Sequence, residues 1–232
     1  EKMKLLTDPQ GNPKTNKSMK KGYYTPVLHM LPSNLSGFNV CPKASEGCKM
    51  ACLNTAGRGG IIKKGETTNV IQEARRKRTL MYFQDRKAFY SQLSREIKNA
   101  ENRAKKRGLK LAIRLNGTSD LRHENSHIMQ EFSHVQFYDY SAIPNRRGLP
   151  SNYHLTFSRK EDNKKDVLTA IKNGLNVAVV FQKYLPNTFL GLPVFNGDDT
   201  DLRFTDPKKS IIGLLAKGKA KKDNSGFTVN QA

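Results

Sequence analysis

Short apolar segments alternate with helix-compatible segments along much of this chain, and this alternation restricts its possible folds more than any other feature. The apolar segments end in small or polar residues, and they cover residues 23–30, 109–115, 135–140, 153–157, 176–181, 193–195 and 210–216. The clearest helical segment between them is 161–173, with Gly174 as its C-cap. Such alternation is typical of parallel strands joined by right-handed crossovers. We therefore predict an α/β fold, a full or partial (β/α) barrel with six to seven mainly parallel strands, with an open doubly wound sheet as the alternative.

The longest helical signal covers residues 66–106. Its apolar residues recur every three or four positions and predict one buried stripe: Phe89, Leu93, Ile97, Ala100 and Ala104. Gln84-Asp85 is expected to divide the segment into two helices, and Thr67, Thr68 or Asn69 to cap the first.

Residues 1–22 are polar and rich in Lys, Asn, Pro and Gly. This composition predicts a flexible basic N-terminal arm. The remainder, 23–232, is expected to form a single barrel-like α/β domain with a cysteine cluster loop at 41–60.

The three cysteines of the chain, Cys41, Cys48 and Cys52, lie in one short stretch. Their odd number and the absence of an export signal at residues 1–4 argue against a disulfide framework. Pro42 and Gly47 favour an exposed loop, so metal ligation is the preferred interpretation.

The identity of the metal follows from the number of thiols. Structural zinc requires four ligands, and only His29 is available nearby as a fourth. A [4Fe–4S] cluster fits better, because three thiolates can hold three of its irons and leave the fourth open. Gly57, Gly59 and Gly60 follow the cysteines and are expected to bring backbone N–H groups close to sulfur or to an anion.

The charge of the chain indicates its partners. With 41 Lys and Arg against 20 Asp and Glu, the formal net charge is +21. Such an excess attracts phosphates, so we expect a nucleic acid or an anionic small-molecule substrate. No stretch of about 18 apolar residues occurs, and no basic segment is paired with a bulky apolar face, so no membrane association is expected.

Polar residues follow several predicted strands. In a parallel barrel the carboxyl ends of the strands share one face, where active groups collect. The catalytic candidates are therefore the polar residues at or after these ends: Asn116, Ser119, Asp120, Glu124, Tyr138, Ser158, Lys183 and Lys217. Arg114 lies inside a strand, where its charge must be paired or face a ligand, and it is predicted to contact the cofactor.

Three motifs resemble the gene product 88-like family of uncharacterised phage and plasmid proteins. They are Cys41-Pro42-x-Ala44-Ser45-x-Gly47-Cys48-x3-Cys52-Leu53, Leu115-Asn116-Gly117-Thr118-Ser119-Asp120, and Gly213-Leu214-Leu215-Ala216-Lys217-Gly218 with Ser225-Gly226-Phe227. The resemblance runs from about residue 23 to residue 227. It implies a phage or mobile-element origin, and hence the cytoplasm of an infected or plasmid-bearing bacterial host.

The order of elements also resembles the radical-SAM barrel, in which a three-cysteine loop follows the first strand. That resemblance implies a [4Fe–4S] cluster whose open iron binds S-adenosylmethionine. The usual spacing in that class is C-x3-C-x2-C, whereas this chain has C-x6-C-x3-C.

His123-Glu124-Asn125-Ser126-His127 matches H-E-x-x-H, a motif in which two histidines bind zinc and the glutamate activates water. The motif is short, and exposed polar residues are the preferred interpretation.

A zinc hydrolase is the weakest of three functional hypotheses. The leading one is an iron–sulfur enzyme acting on a nucleic acid or nucleotide-like substrate. Its competitor is a non-enzymatic protein that binds nucleic acid or a host protein and uses the metal loop as a structural clip.

Overall fold

One large, mainly parallel sheet dominates the computed structural model, which describes residues 3–9 and 13–230. The strands of the described residues are β1 Leu6–Thr7, β2 Tyr23–Tyr24, β3 Val27–Leu28, β4 Lys110–Ile113, β5 Gln136–Ser141, β6 Tyr153–Ser158, β7 Val177–Phe181, β8 Thr188–Phe189, β9 Leu192–Asn196 and β10 Ile211–Leu215. The α-helices are α1 Pro13–Lys20, α2 Glu46–Met50, α3 Val70–Gln84, α4 Arg86–Lys106, α5 Ile128–Glu131 and α6 Lys164–Lys172. Short 3₁₀ helices cover Leu53–Thr55, Gly57–Gly60, His123–Asn125, Arg203–Thr205 and Gly218–Lys222.

The sheet has eight strands in the order β2-β4-β5-β6-β7-β10-β9-β8. All neighbouring pairs are parallel except β8 and β9, which form an antiparallel hairpin. From β2 to β10 the order follows the chain without the reversal that defines a doubly wound sheet. The α/β class and the mainly parallel sheet are thus confirmed. No ladder joins the edge strands β2 and β8 among the described residues, so closure into a barrel stays a prediction.

The predicted count of six to seven strands is wrong, because β8 adds an eighth. It has only two residues, Thr188 and Phe189, and it pairs with Pro193 and Leu192 of β9. A hairpin arm this short carries no alternation that could be read from the sequence. The first predicted strand also differs, since the segment 23–30 divides into β2 and β3.

The predicted helical stripe on α4 is confirmed, and it forms the centre of the larger core. Phe89, Leu93 and Ile97 are fully buried against Ile113 and Phe137 of the sheet. The predicted division of the long helical segment is also confirmed. Asn69 caps α3, and the Asp85 side chain accepts a hydrogen bond from the Ala88 N–H at the start of α4.

The N-terminal segment differs from the expected flexible arm where the structure describes it. Leu5 and Leu6 are buried, and their N–H groups donate to the Glu96 carboxylate at 2.8–3.0 Å. Strand β1 pairs with β3, and residues 13–20 form α1. A single apolar pair within a polar segment is enough to anchor it, which average composition does not reveal. The parts of the predicted arm at 1–2 and 10–12 lie outside the described residues.

Strands β2, β4, β5, β6, β7, β10 and β9 are parallel, so their carboxyl ends lie on one edge of the sheet. Strand β3 belongs to the separate β1–β3 pair, but a parallel bridge from Val27 to Arg114 places it beside the end of β4. The cysteine segment follows β3, and the segments after β4, β6 and β10 leave from the same edge. In the parts of the chain that the structure describes, no helix combines the length and the apolar character needed to cross a lipid bilayer.

Candidate functional site

The three cysteines lie in three different local structures at this edge. Cys41 is in the loop after β3, Cys48 is in α2, and Cys52 precedes the 3₁₀ helix Leu53–Thr55. All three thiols are free and partly buried. The short helix α2 begins at Ser45, whose hydroxyl accepts a hydrogen bond from the Cys48 N–H at 3.1 Å. The N-cap therefore sets the orientation of the middle cysteine.

Two backbone N–H groups donate to sulfur. The Ser33 N–H lies 3.4 Å from Cys41 Sγ, and the Asn54 N–H lies 3.5 Å from Cys52 Sγ. The Cys41 thiol in turn lies 3.8 Å from the Thr118 carbonyl oxygen, in the segment after β4. N–H donation to sulfur stabilises thiolates and adjusts the reduction potential of iron–sulfur centres.

Burial makes the free thiols weak acids. Burial, together with a smaller effect of negative charge at Cys52, raises the pKa of both Cys41 and Cys48 to about 12. Burial also raises the pKa of Cys52, although the Asn54 N–H and the Arg75 guanidinium act against it. The three thiols are thus close enough to influence one another's charge. At neutral pH each thiol therefore carries its proton, which a metal ion would have to displace on binding.

The cations nearest the thiols are Arg75 and Lys160. Arg75 donates to the Asn54 side chain, while its buried Nε has no hydrogen-bond partner among the described residues. Lys160 is buried and lowers the pKa of Cys48, against the larger effect of burial. The sequence pattern predicts Arg75 on an outward helix face, because a charged residue in an amphipathic pattern is normally solvated. The structure turns it towards the cysteine loop instead.

The three glycines after the cysteines have contacts that a packing role explains. Gly57 has a positive φ of 59°, and a Cβ on Gly60 would lie 2.0 Å from the Thr55 carbonyl oxygen. The Gly59 carbonyl accepts hydrogen bonds from Gln72 and Asn69 of the α3 N-terminus. These contacts hold the tight 3₁₀ turns beneath α3. The N–H groups that donate to sulfur belong to Ser33 and Asn54, and not to the three glycines predicted to do so.

Glu161, which sequence reasoning did not select, fastens α2 to the end of β6. Its carboxylate accepts hydrogen bonds from the Gly47 N–H at 2.9 Å and the Ser45 hydroxyl at 2.8 Å. A Cβ on Gly47 would lie 2.7 Å from Glu161 Oε1 and 2.3 Å from Ser225 Oγ, so glycine is required there. The only local signal for this contact is the Ser45-x-Gly47 pair itself.

A segment covering residues 223–229 lies over this junction. Arg159 Nη1 donates to the carbonyl oxygens of Gly226 and Phe227, each at 2.7 Å. Val229 adds a parallel bridge to Phe181, with its N–H donating to the Val180 carbonyl at 2.8 Å. We refer to residues 223–229 as the cover segment.

Replacing Glu161 by alanine is expected to expose Cys48. The change leaves the Gly47 N–H and the Ser45 hydroxyl without an acceptor, at a cost of about 1–3 kcal/mol. Each 1.4 kcal/mol of lost stability makes local opening of α2 roughly tenfold more frequent. The rate of Cys48 alkylation, measured by peptide mass spectrometry, is expected to rise by the same factor. Glu46→Ala is the matched control, because Glu46 lies in the same helix with an exposed side chain. Equal alkylation rates in both variants would contradict the anchoring role.

Residues after β4 form an internal network rather than an open mouth. Asn116 is buried, and its Oδ1 accepts from the Ser119 hydroxyl and the Leu121 N–H, each at 2.8 Å. Asp120 accepts from the Ala142 N–H at 2.8 Å, and burial raises its pKa. These groups brace the loop that carries Thr118 to Cys41. Their expected catalytic role stays a prediction, and each has a structural partner.

Arg114 and Tyr138 meet at a second buried group, Asp201. Arg114 Nη1 lies 3.5 Å from Asp201 Oδ1, and the Tyr138 hydroxyl donates to Oδ2 at 3.1 Å. The Arg114 guanidinium also stacks over the Tyr140 ring, 4.8 Å from its centroid. The sequence requires that this buried charge be paired or face a ligand, and the structure pairs it. Its partner, 87 residues away in the chain, gives no local signal.

Asp139 lies behind Arg114 and is almost completely buried. It accepts hydrogen bonds from the Asn116 N–H and the Tyr153 hydroxyl, each at 2.8 Å. Burial raises its pKa to about 7, although Arg114 at 3.9 Å and the hydrogen bonds act in the opposite direction. A carboxyl group that titrates near neutral pH is suited to proton transfer. Asp139 is not among the predicted catalytic residues, although the adjacent Tyr138 is.

The remaining candidates do not converge with these groups. The Ser158 carbonyl accepts from Asn163 Nδ2 at 2.9 Å, and Lys183 is exposed. Lys217 pairs with Asp198. The next residue, Gly218, does approach the cysteine segment, since a Cβ there would lie 3.4 Å from Ala56. The carboxyl end of β10 therefore borders the cysteines, while the end of β7 does not show such contact.

The H-E-x-x-H motif does not form a zinc site in the structure. His123 is fully buried and its Nδ1 bonds to the Tyr90 hydroxyl at 2.9 Å, whereas the His127 side chain is 71% exposed. Residues 123–125 form a 3₁₀ turn, so the two histidines do not share one face of an α-helix. Glu124 binds Arg146 through both carboxylate oxygens, each 2.6 Å from Nη2. The zinc-hydrolase hypothesis fails on this geometry.

No group of three or more His, Cys, Asp or Glu side chains within 3–9 and 13–230 is arranged to hold a metal ion. The chemistry of the cysteine segment nevertheless fits an anionic thiolate centre. It combines three mutually interacting thiols, two N–H donors to sulfur and a buried guanidinium nitrogen without a partner. Metal binding would require the three thiols to move closer together and to lose their protons.

Comparison with known proteins gives one match. A family model described as Gene product 88 matches residues 4–231, nearly the whole chain. No curated protein matches the chain, and no solved structure does.

Proposed function

The chain belongs to the gene product 88 family, and we propose that it is an iron–sulfur protein in which Cys41, Cys48 and Cys52 hold a [4Fe–4S] cluster. The observation that carries this proposal is the clustering of three partly buried thiols beside N–H donors and buried cations. Burial alone makes a thiolate unfavourable here, as the raised pKa values of Cys41 and Cys48 indicate. A cluster stabilises the thiolate form and so gives these residues a stable charged state.

Iron is preferred to zinc because of the number of ligands. A structural zinc site needs four ligands, and the chain has three cysteines, the number that a [4Fe–4S] cluster with one open iron requires. His29 is the nearest sequence candidate, and burial and the neighbouring Arg75 lower its pKa to about 3. The His29 side chain is therefore neutral, which is the form that binds zinc. Zinc is the alternative metal, and the experiment below distinguishes it from iron.

We further propose an enzyme that acts on a nucleic acid or a nucleotide-like substrate. A [4Fe–4S] cluster with one open iron supplies a binding position for S-adenosylmethionine and radical chemistry, as in the radical-SAM class. Within this proposal, Arg75 and Lys160 balance the negative charge of the centre. Asp139, with its pKa near 7, is the group best suited to hold or release a proton.

Anaerobic reconstitution with iron and sulfide tests the cluster. The chain is expected to develop the broad absorption near ~400 nm of thiolate–iron centres, and Cys48→Ala is expected to lose it. Met50→Ala is the matched control, since Met50 lies in the same helix, is 63% exposed and ligates nothing. A colourless, iron-free protein would overturn the proposal, and stoichiometric zinc in its place would show that the site is a zinc clip.

The competing function is a nucleic-acid- or host-protein-binding protein in which the metal loop is only a structural clip. The observation in its favour is the fastening of α2 by Glu161 and the cover segment, which makes the loop part of the fold. Thermal unfolding of Cys48→Ala distinguishes the two. A large drop in Tm favours the clip, whereas an unchanged Tm with loss of cluster-dependent activity favours the enzyme.

A further inference from the structure

A basic groove lies on the exposed face of α4, and none of the residues that line it belongs to the cysteine segment 41–60. It has a volume of about 690 Å³, and its walls come from α4 and the α5 region. Four cations line it from one end of the helix face to the other: Arg86, Lys87, Arg95 and Lys98. We refer to these four residues as the groove cations.

The groove cations are available to a partner. All four are exposed, and in the described parts of the chain only Lys98 has an acidic partner, Glu131 at 3.5 Å. Arg86 is held over the Tyr82 ring, 3.9 Å from its centroid, and Arg95 donates to the Ser91 hydroxyl at 2.9 Å. The two guanidinium groups are therefore positioned by neutral neighbours that leave their charge uncompensated.

The groove rests on the hydrophobic core. Tyr90 is buried on the groove floor and bonds to His123, which follows β4. Both ends of the groove rest on one α-helix, and Arg86 and Lys98 are 12 positions apart, which corresponds to about 18 Å along the helix at 1.5 Å per residue. Over that length, duplex DNA presents about ten phosphate charges on its two strands.

The side chains that line the groove favour one class of anionic partner. None of the side chains lining the groove is aliphatic: apart from the groove cations they are Tyr90, Ser91, Ser94, His127 and Glu131. An amphipathic helix that binds a lipid surface needs a bulky apolar face, which this groove does not have. Hydroxyl groups beside Arg and Lys are instead the usual donors to a sugar–phosphate backbone.

We propose that the groove cations bind the phosphate backbone of a nucleic acid without reading its sequence. This inference rests on the nucleic-acid part of the proposed function and is independent of the metal centre. It gives the +21 charge a specific place of contact. Contacts of this kind hold a long polymer in register while leaving the chemistry to another part of the molecule.

Fluorescence anisotropy with labelled DNA of about 20 base pairs, over about 50 to 200 mM salt, tests the proposal. The double variant Lys87→Ala/Lys98→Ala is expected to weaken binding roughly 10- to 100-fold at the lowest salt. It is also expected to reduce the slope of log K against log salt by about 2, because each phosphate that a lysine neutralises contributes close to one unit of slope. The matched control is Lys105→Ala/Lys106→Ala, which removes the same charge from exposed positions at the other end of α4 and is expected to leave the slope unchanged.

The outcomes separate this inference from the proposed function. If the unmodified chain binds DNA and both double variants weaken it equally, the groove inference fails while nucleic-acid binding stands. If the unmodified chain binds neither duplex nor single-stranded DNA or RNA, both fail. Loss of binding to anionic vesicles in the groove variant, with DNA binding intact, would assign the groove to a membrane and overturn the proposal.

Discussion

Replacing Arg146 by alanine is expected to lower the free energy of unfolding by about 3–5 kcal/mol, because it leaves buried carboxylates without their cation. The Arg146 side chain is 2% exposed, and its Nη2 contacts both Glu124 oxygens at 2.6 Å. Nη1 also lies 3.5 Å from Asp120 Oδ1 and donates to the Ser141 hydroxyl at 3.1 Å. Urea unfolding followed by circular dichroism measures the change, with the m-value expected to stay constant.

The neighbouring residue supplies the control for Arg146. Arg147 is exposed, so Arg147→Ala is expected to change the stability by less than about 0.5 kcal/mol. Combining Arg146→Leu with Glu124→Leu should recover part of the loss, since removal of both partners leaves fewer uncompensated charges. An Arg146→Ala variant as stable as Arg147→Ala would show that solvent reaches the pair and that the carboxylates are not buried in solution.

The second large effect concerns pH and Asp139. Its pKa is about 7 in the folded chain against an ordinary value of 3.8, so between these values the folded state binds more protons than the unfolded state. The contribution of Asp139 to stability is therefore fully present below pH ~4 and is lost as the pH rises to about 7. Between these pH values the free energy of unfolding is expected to fall by up to about 1.4 kcal/mol per pH unit, and by roughly 4 kcal/mol over the whole range.

Asp139→Asn isolates this contribution, because asparagine does not titrate. His29 and His123 act in the opposite direction, since burial lowers the pKa of each to about 3 and so favours unfolding in acid. The measured quantity is therefore the difference in the free energy of unfolding between the unmodified chain and the variant. Urea unfolding at several pH values between ~4 and ~8 gives this difference. Asp162→Asn, at a largely exposed carboxylate, is the control. A difference that stays constant across this range would show that Asp139 is ionised throughout.

Local periodicity explains which parts of the fold could be predicted. The α4 stripe, the division at Asp85 and the main strands depend on residues a few positions apart, so the sequence carries their signal directly. The two-residue strand β8 has too little sequence to carry one. Closure of the sheet depends on the relation between distant edge strands, which no local pattern contains.

The candidate site shows the same limit at the level of single side chains. The cysteine cluster is visible because its members are adjacent in sequence. Glu161 and Arg75 are not, since each acts on the cysteine segment from a different element. Conversely, several of the predicted catalytic residues have hydrogen-bond partners elsewhere in the chain: Asn116, Asp120, Glu124 and Tyr138. Pairing between distant charges is set by the assembled sheet and cannot be inferred from residue type alone.

The cover segment also determines when the cysteine site is completed during synthesis. Cys48 leaves the ribosome well before Ser225 and Val229, which pack against its helix and against β7. At about 5–20 residues per second, the intervening chain takes roughly 10–35 s to emerge. During that interval the α2 helix lacks the packing that the cover segment later adds. Under the proposed function, the order of translation would therefore allow metal to reach the thiols before the cover segment is in place.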